Sequence, residues 1–173
     1  MNPQPELMTV ELLELPVPLW AKAQEQTDAL LREFALIAEA LRGEASDVGS
    51  AVHRDLPLRL LALIDSLTAR FDGFNSEPEQ QLDEALRQGA PTLERLTFRV
   101  PAEAAEASRV LGDMLDEADD YCRAGQHLLT LAADGDAVRF RRWYLLQFVT
   151  QVAGEPPVPW PAYDGSWPAP AAS

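Results

Sequence analysis

Residues 139–154 read RFRRWYLLQFVTQVAG, which is the most aromatic stretch of the chain. Its apolar residues recur at helical spacing, so it predicts a helix from about Asp136 to Ala153 that is capped by Asp134 and ends before Gly154. Apolar residues cover more than half of its circumference. Such a helix is either central in a bundle, or buried on one side and docked on the other. The residues are Phe140, Trp143, Tyr144, Leu145, Leu146, Phe148, Val149 and Val152.

The segment after this helix, EPPVPWPAYDGSWPAP at residues 155–170, is rich in proline. Prolines favour polyproline II or irregular structure, and they lower the ordering entropy of a peptide that packs into an aromatic groove. The tail is therefore either a ligand for a partner, or Trp160 folds back and closes the end of the bundle. We favour the second interpretation. We expect a single helical domain at residues 1–165 and a flexible Pro/Ala-rich tail at residues 166–173.

Helical periodicity predicts four more helices upstream of this stretch. Ser76-Glu77-Pro78-Glu79 has the arrangement of a capping box, which marks the start of the third helix. The predicted ranges are Trp20 to Gly43, a segment that starts after a cap at Asp55, Ser76 to about Gln88, and about Ala102 to Leu131.

Two short segments alternate apolar and polar residues in the manner of strands: MTVELLELPVP at residues 8–18 and LTFRVP at residues 96–101. Each is followed by a long amphipathic helix. The two segments either pair as a two-stranded ribbon supported by the helices, or remain extended lead-ins to their helices. The chain therefore predicts a mainly α fold, a four- to five-helix bundle with up to two short β-strands.

The composition limits the classes of partner. The chain has 173 residues and a formal net charge of −14, which disfavours binding to nucleic acid or to an anionic membrane. Its one cysteine excludes an internal disulfide. The sequence shows neither a secretory leader nor an apolar stretch of membrane-spanning length, so we expect a cytoplasmic protein without a cofactor.

Four carboxylates, Asp113, Asp116, Glu117 and Asp120, share one face of a predicted helix. Such a face can bind a hard cation, which makes a metal-dependent enzyme one alternative. Carboxylate-bridged bundles also need Glu-x-x-His pairs, and the chain has none. We therefore favour no metal site and an acidic face opposite arginines of the last helix. Those arginines are Arg139, Arg141 and Arg142.

No catalytic set assembles from the other reactive residues. Cys122 and His127 lie five residues apart and point away from each other on one helix, so Cys122 is interpreted as a small buried hydrophobe. His53, near Arg54 and Arg59, is a weak candidate for phosphotransfer, and a surface histidine is the favoured interpretation.

The chain resembles small helical proteins that accompany bacterial partner-switching (anti-sigma-factor type) signalling modules. Two segments carry the resemblance, LPVPLWAKAQEQTDALLREFALIA at residues 15–38 and RRWYLLQFVTQVAGEPPVPWP at residues 141–161. The resemblance implies a regulatory binding role. The chain has neither the nucleotide-binding boxes of the kinase partner nor the serine loop of the antagonist. The resemblance therefore implies that the chain is an accessory to both of these proteins.

These observations predict a non-enzymatic bacterial regulatory or adaptor protein that binds a protein partner or a second copy of itself. The alternative is a small-ligand-binding helical sensor, for which a cavity lined by aromatic residues and a few polar groups would be the evidence. Large aromatic residues are the candidate contacts with a partner or ligand. They are Trp20, Phe140, Trp143, Tyr144, Phe148 and Trp160.

Overall fold

The computed structural model describes residues 6–43, 55–71, 73–124 and 133–168. The mainly α fold with two strands is confirmed within these ranges, and a short 3-10 helix, Trp160–Ala162, lies in the tail. The strands and helices in chain order are β1 (Leu7–Pro16), α1 (Val17–Gly43), α2 (Leu56–Phe71), α3 (Ser76–Arg87), β2 (Thr92–Pro101), α4 (Ala104–Arg123) and α5 (Gly135–Val152).

The two strands pair as a ribbon, which is one of the two alternatives left open by the sequence, and the pairing is antiparallel with Leu7 opposite Pro101 and Pro16 opposite Thr92. Because side chains alternate across a strand, one face of the ribbon is apolar and packs on the helices. The fully or nearly fully buried residues of this face are Val10, Leu12, Leu15, Leu96, Phe98 and Val100.

Glu14 explains why β1 carries apolar residues in two phases. Its φ is 55°, in the left-handed region that non-glycine residues rarely adopt. The buried positions are Val10 and Leu12 before it, and Leu15 and Val17 after it. The left-handed residue shifts the alternation by one position, so both apolar phases reach the same core.

Helix α5 lies at the centre of the fold, in contact with β1, α1 and α4. The predicted cap is confirmed, because the Asp134 carboxylate accepts a hydrogen bond from the Ala137 amide at 2.9 Å. Trp143 is 0% exposed and is the largest fully buried side chain. The wide apolar surface of α5 is thus used within the fold.

Gln151 of α5 binds the edge of β1 that faces away from β2. Its Oε1 accepts from the Glu11 amide at 2.9 Å, and its Nε2 donates to the Glu11 carbonyl at 2.7 Å. One side-chain amide thereby replaces the two backbone hydrogen bonds of a third strand. The arrangement protects an edge that would otherwise be open to pairing with another chain.

Residues 155–168, here called the C-terminal strap, cross α5 and close the core. The Val158 amide donates to Gln147 Oε1 at 2.9 Å, and Trp143 Nε1 donates to the Val158 carbonyl at 2.7 Å. Trp160 then packs with its ring centroid 5.7 Å from Phe140 and 5.6 Å from Trp143. Trp160 therefore closes the bundle end, as the favoured interpretation predicts.

The packed part of the strap continues beyond residue 165, where the sequence prediction ended the folded domain. Trp167 Nε1 donates to Asp113 Oδ1 at 2.9 Å, and its ring lies against Gly112 of α4. A Cβ at position 112 would overlap the Trp167 ring. A glycine in α4 thus admits the Trp167 indole ring, which periodicity could not assign, and the flexible tail at residues 166–173 as a whole stays a prediction.

Other element boundaries differ from the predictions. Asn75, not Ser76, is the N-cap of α3, and no side chain bonds the cap, so the predicted capping box is wrong. Helix α1 begins at Val17, before the predicted Trp20. Helix α4 ends at Arg123, and residues 125–131 of the predicted long helix lie outside the described residues.

Candidate functional site

The predicted contact residues lie together inside the fold. Phe140, Trp143 and Phe148 are buried, and Trp20, Tyr144 and Trp160 are partly buried against the same core. The Phe140 ring contacts Trp143, Tyr144 and Trp160 at centroid distances of 5.7, 6.1 and 5.7 Å. Binding of a protein partner stays a prediction, since the aromatic residues chosen for it are used in packing.

A cavity of about 200 Å³ lies between α1, α4 and α5, and we call it the α1–α4–α5 cavity. Its wall includes Trp20, Phe140 and Tyr144, three of the six candidate residues. The remaining apolar wall is formed by aliphatic side chains from four helices. They are Leu30 of α1, Leu82 of α3, Leu111 and Leu115 of α4, and Leu145 of α5.

Two residues that line the cavity each carry a buried polar atom without a hydrogen-bond partner in the described part of the chain. The atoms are Gln26 Oε1 on α1 and Arg141 Nε on α5. Both have almost no accessible surface, so neither atom is presented to the cavity. Among the other polar groups of the wall, the Thr27 hydroxyl donates to the Ala23 carbonyl at 2.9 Å.

The charge of Arg141 is compensated within the fold. Its Nη2 lies 2.5 Å from Asp116 Oδ1 and 2.8 Å from Asp119 Oδ2. The Arg141 side chain is 12% exposed and that of Asp119 5%. Asp119 Oδ1 accepts from the Ala133 amide at 3.3 Å. The Arg141–Asp119 pair is thus a largely buried unit with little net charge in the cavity wall.

Asp119 is a site residue that the sequence analysis missed. It lies between Leu115 and Cys122 on the apolar side of α4, and the acidic stripe on the neighbouring face drew attention away from it. An aspartate at a position whose helical neighbours are apolar was the available signal, because a buried carboxylate needs a charged or hydrogen-bonded partner.

The acidic stripe itself is divided among different partners. Asp116 faces Arg141 and Arg142, which confirms the predicted opposition for those two arginines. Arg139 instead lies over the Trp160 ring at 4.7 Å. Of the remaining carboxylates, Asp113 accepts from Trp167, Glu117 pairs with Arg59 at 2.7 Å, and Asp120 pairs with Arg123 at 2.5 Å.

Within residues 6–43, 55–71, 73–124 and 133–168, no group of three or more His, Cys, Asp or Glu residues is placed to bind a metal ion. His53 and His127 lie outside the described residues, so the phosphotransfer and dyad hypotheses stay predictions. The other half of the proposed dyad, Cys122, lines the α1–α4–α5 cavity.

Burial controls the ionisation of the thiol and the phenol in the wall. Burial, with a smaller contribution from the nearby Asp119 carboxylate, raises the pKa of Cys122 to about 11, so the thiol is protonated at neutral pH. Burial also raises the pKa of the Tyr144 hydroxyl well above its ordinary value. Both groups are therefore neutral at neutral pH and suited to hydrogen bonding and apolar contact.

A second cavity of about 560 Å³ lies between α2, α4 and α5, and we call it the α2–α4–α5 cavity. Leu111, Tyr144 and Leu145 line both cavities, so these side chains form part of the partition between them. The side of α5 that carries Tyr144 therefore meets open space, whereas the side that carries Trp143 meets the ribbon and the strap.

In the described residues, no helix is both long enough and apolar enough to cross a membrane. The resemblance to proteins of partner-switching modules stays a prediction from residues 15–38 and 141–161. Comparison of the chain with protein-family models, curated proteins and solved structures gives no match.

Proposed function

We propose that the chain is a non-enzymatic regulatory protein that binds a small organic molecule in the α1–α4–α5 cavity. The observation that carries the proposal is the cavity of about 200 Å³ itself, whose largely apolar wall includes Trp20, Phe140 and Tyr144 beside a few polar residues. An apolar wall with a few polar groups is typical of sites that bind small organic molecules.

The chemistry of the wall supports binding more than catalysis. The Cys122 thiol, whose pKa is raised to about 11, is a poor nucleophile at neutral pH. Asp119 is engaged by Arg141 and by the Ala133 amide, so it is poorly placed to accept a proton from a substrate.

A regulatory role is supported by where the wall comes from. Trp20 is in α1 and Tyr144 is in α5, and these residues fall in the two segments that resemble partner-switching proteins. A ligand that contacts both residues would join α1 to α5. Its differential affinity for the joined arrangement would then shift the population of conformations that a downstream partner meets.

The test is ligand-observed NMR with a mixture of small organic fragments of varied charge. Ala23 lines the cavity, and Ala23→Leu adds carbon atoms to its wall. Ala35→Leu is the matched control, because Ala35 lies on the same helix and is exposed. Fragments that bind the wild type and Ala35→Leu, and bind Ala23→Leu at least about tenfold more weakly, support the proposal. If no fragment distinguishes the two variants, the proposal is wrong.

A further inference from the structure

Resting on the proposed function, we infer that the ligand of the α1–α4–α5 cavity is an organic cation, a protonated amine whose apolar body is about the size of one aromatic ring and whose ammonium group pairs with Glu79. Three features lead to this class of ligand: the charges of the wall, the position of Glu79, and the apolar volume beside it.

Glu79 carries the one uncompensated charge among the described residues that line the cavity. The wall contains two carboxylates and one guanidinium, those of Glu79, Asp119 and Arg141. Asp119 and Arg141 are paired at 2.8 Å, so their charges cancel. The Glu79 amide donates to the Asn75 carbonyl, whereas its carboxylate has no ion-pair or hydrogen-bond partner within the described ranges. The wall therefore has one negative charge in excess.

Glu79 lies at the rim of the cavity. It is exposed, whereas Leu82, three residues further along α3, is fully buried and lines the same cavity. Burial, and after it the charge of the Glu79 carboxylate, raises the pKa of the Tyr144 hydroxyl, so this charge acts on a side chain of the wall. A ligand with its body inside the cavity can hold an ammonium group at this rim and keep part of its water. The cost of burying an ion is thereby avoided.

The sign of the charge selects a cation over an anion. An anion would meet Glu79 at the rim, and the net charge of −14 repels anions from the protein as a whole. Arg141 offers no compensation, because Asp116 and Asp119 already bind its guanidinium at 2.5 and 2.8 Å. A cation is attracted by Glu79, and it can also interact favourably with the negative faces of the aromatic rings in the wall.

The volume limits the size of the body. A buried apolar cavity of about 150 Å³ is known to accept benzene. The α1–α4–α5 cavity measures about 200 Å³, which leaves room for one ring with one small polar substituent. The apolar part would contact Trp20, Phe140 and the leucines of the wall, where an aromatic ring packs favourably. A small inorganic cation lacks this body and would leave the apolar wall unused.

The experiment measures dissociation constants by NMR titration for three probes of nearly equal size: benzylammonium, benzyl alcohol and benzoate. Ion pairs in contact with water contribute little, so we expect benzylammonium to bind only about two- to fivefold more tightly than benzyl alcohol. Benzoate should bind most weakly. In Glu79→Gln the charge is removed and the shape of the side chain is kept, so the preference for benzylammonium over benzyl alcohol should disappear.

Glu77→Gln is the matched control. Glu77 lies in the same first turn of α3, is exposed, and is not among the residues that line either cavity. Both changes remove one negative charge near the start of the same helix, so they alter the net charge and the interaction with the helix dipole alike. Benzylammonium should keep its preference in Glu77→Gln. If both variants weaken its binding equally, the attraction belongs to the net charge of the protein, and the inferred ligand class is wrong.

The other outcomes separate the ligand class from the proposed function. Benzylammonium binding that weakens in Ala23→Leu, with its preference lost in Glu79→Gln and kept in Glu77→Gln, supports both. Equal or tighter binding of benzyl alcohol or benzoate, with sensitivity to Ala23→Leu, overturns the ligand class and leaves the binding function standing. The same holds if the only fragments that bind the cavity are uncharged or anionic. If neither a probe nor a fragment binds in a manner sensitive to Ala23→Leu, both proposals fail. Circular dichroism of each variant establishes that it is folded.

Discussion

The two sides of α5 differ in how completely they are closed. On one side, Trp143, Gln147 and Gln151 recur every four residues, and their side chains bond the backbone of Val158 or Glu11. On the other side, Arg141 and Tyr144 line cavities, and the buried Arg141 Nε has no partner among the described residues. The closed side joins the ribbon and the strap to the helices, whereas the open side offers space beside a largely apolar wall. We infer that stability is concentrated on the first side and ligand binding on the second.

The closed side also contains an unpaired atom, Gln147 Nε2. The other end of that amide accepts from Val158 and, at 3.1 Å, from Gln151, so the residue has a structural role that accounts for its burial. An unpaired buried atom is therefore not by itself evidence for a site, and the cavity between the helices is what distinguishes the second side.

The largest expected effect is on the closed side. Trp143→Ala should lower the free energy of unfolding by about 3–5 kcal/mol, because it creates a cavity in the core and leaves the Val158 carbonyl without its donor. Chemical denaturation measures this loss. Leu36→Ala is the control, since Leu36 is 73% exposed and should change stability by less than about 0.5 kcal/mol. A loss below about 1 kcal/mol for Trp143→Ala would contradict the comparison.

The same chemical change on each side of the bundle sharpens the comparison. Gln151→Leu should lower the free energy of unfolding by about 2 kcal/mol, because Glu11 loses a donor and an acceptor on the strand edge. Gln26→Leu should leave it unchanged or raise it by up to about 1 kcal/mol, because it removes an unpaired buried oxygen. Urea titrations measure the free energy of unfolding of each variant. Equal losses of that free energy in Gln151→Leu and Gln26→Leu would show that the two sides of α5 do not differ.

A smaller effect is expected where the strap meets α4. Gly112→Ala should lower the free energy of unfolding by about 1 kcal/mol, because the displaced Trp167 loses more packing than the helix gains in propensity. In a Trp167→Ala background the same change should become stabilising by about 1 kcal/mol, since only the helix propensity remains. Thermal denaturation of the four proteins in this cycle measures the coupling. Additive effects would show that Trp167 does not rest on Gly112.

The smallest effect concerns the reactivity of one thiol. Because the pKa of Cys122 is raised to about 11, alkylation by iodoacetamide at pH 8 should be about a hundredfold slower than that of free cysteine. The raised pKa favours the protonated form in the folded state, so the stabilisation is present at neutral pH and is lost as pH rises from about 9 through 11. Mass spectrometry over time at several pH values checks this. Rapid modification at pH 8 would place the thiol in a more open environment.

Local sequence patterns predicted much of the fold. Alternation at Leu96, Phe98 and Val100 predicted β2, and the period of α5 together with the Asp134 cap predicted the last helix. These features depend on neighbours two to four residues apart, which the sequence displays directly. The capping box at Ser76 failed because a side chain one position away from the N-cap cannot reach the free amides.

The candidate site was predicted only in part. Trp20, Phe140 and Tyr144 were chosen as contact residues and do line the α1–α4–α5 cavity, whereas Gln26 and Asp119 were not recognised. A glutamine on a half-polar helix face gives no local indication of whether its amide oxygen is solvated or buried. That distinction depends on which helices pack beside it.

The sequence by itself determined most of the helices, because they follow from periodicity. It favoured the return of Trp160 to the bundle, through the need to bury large aromatic residues, and left the pairing of the ribbon open. The tertiary structure alone decided which side of α5 is closed, that Gly112 receives Trp167, and that Gln26 and Arg141 share a cavity wall. The physical reason is distance along the chain. Contacts between residues far apart in sequence arise from how whole elements pack, and no local pattern of residues specifies that packing.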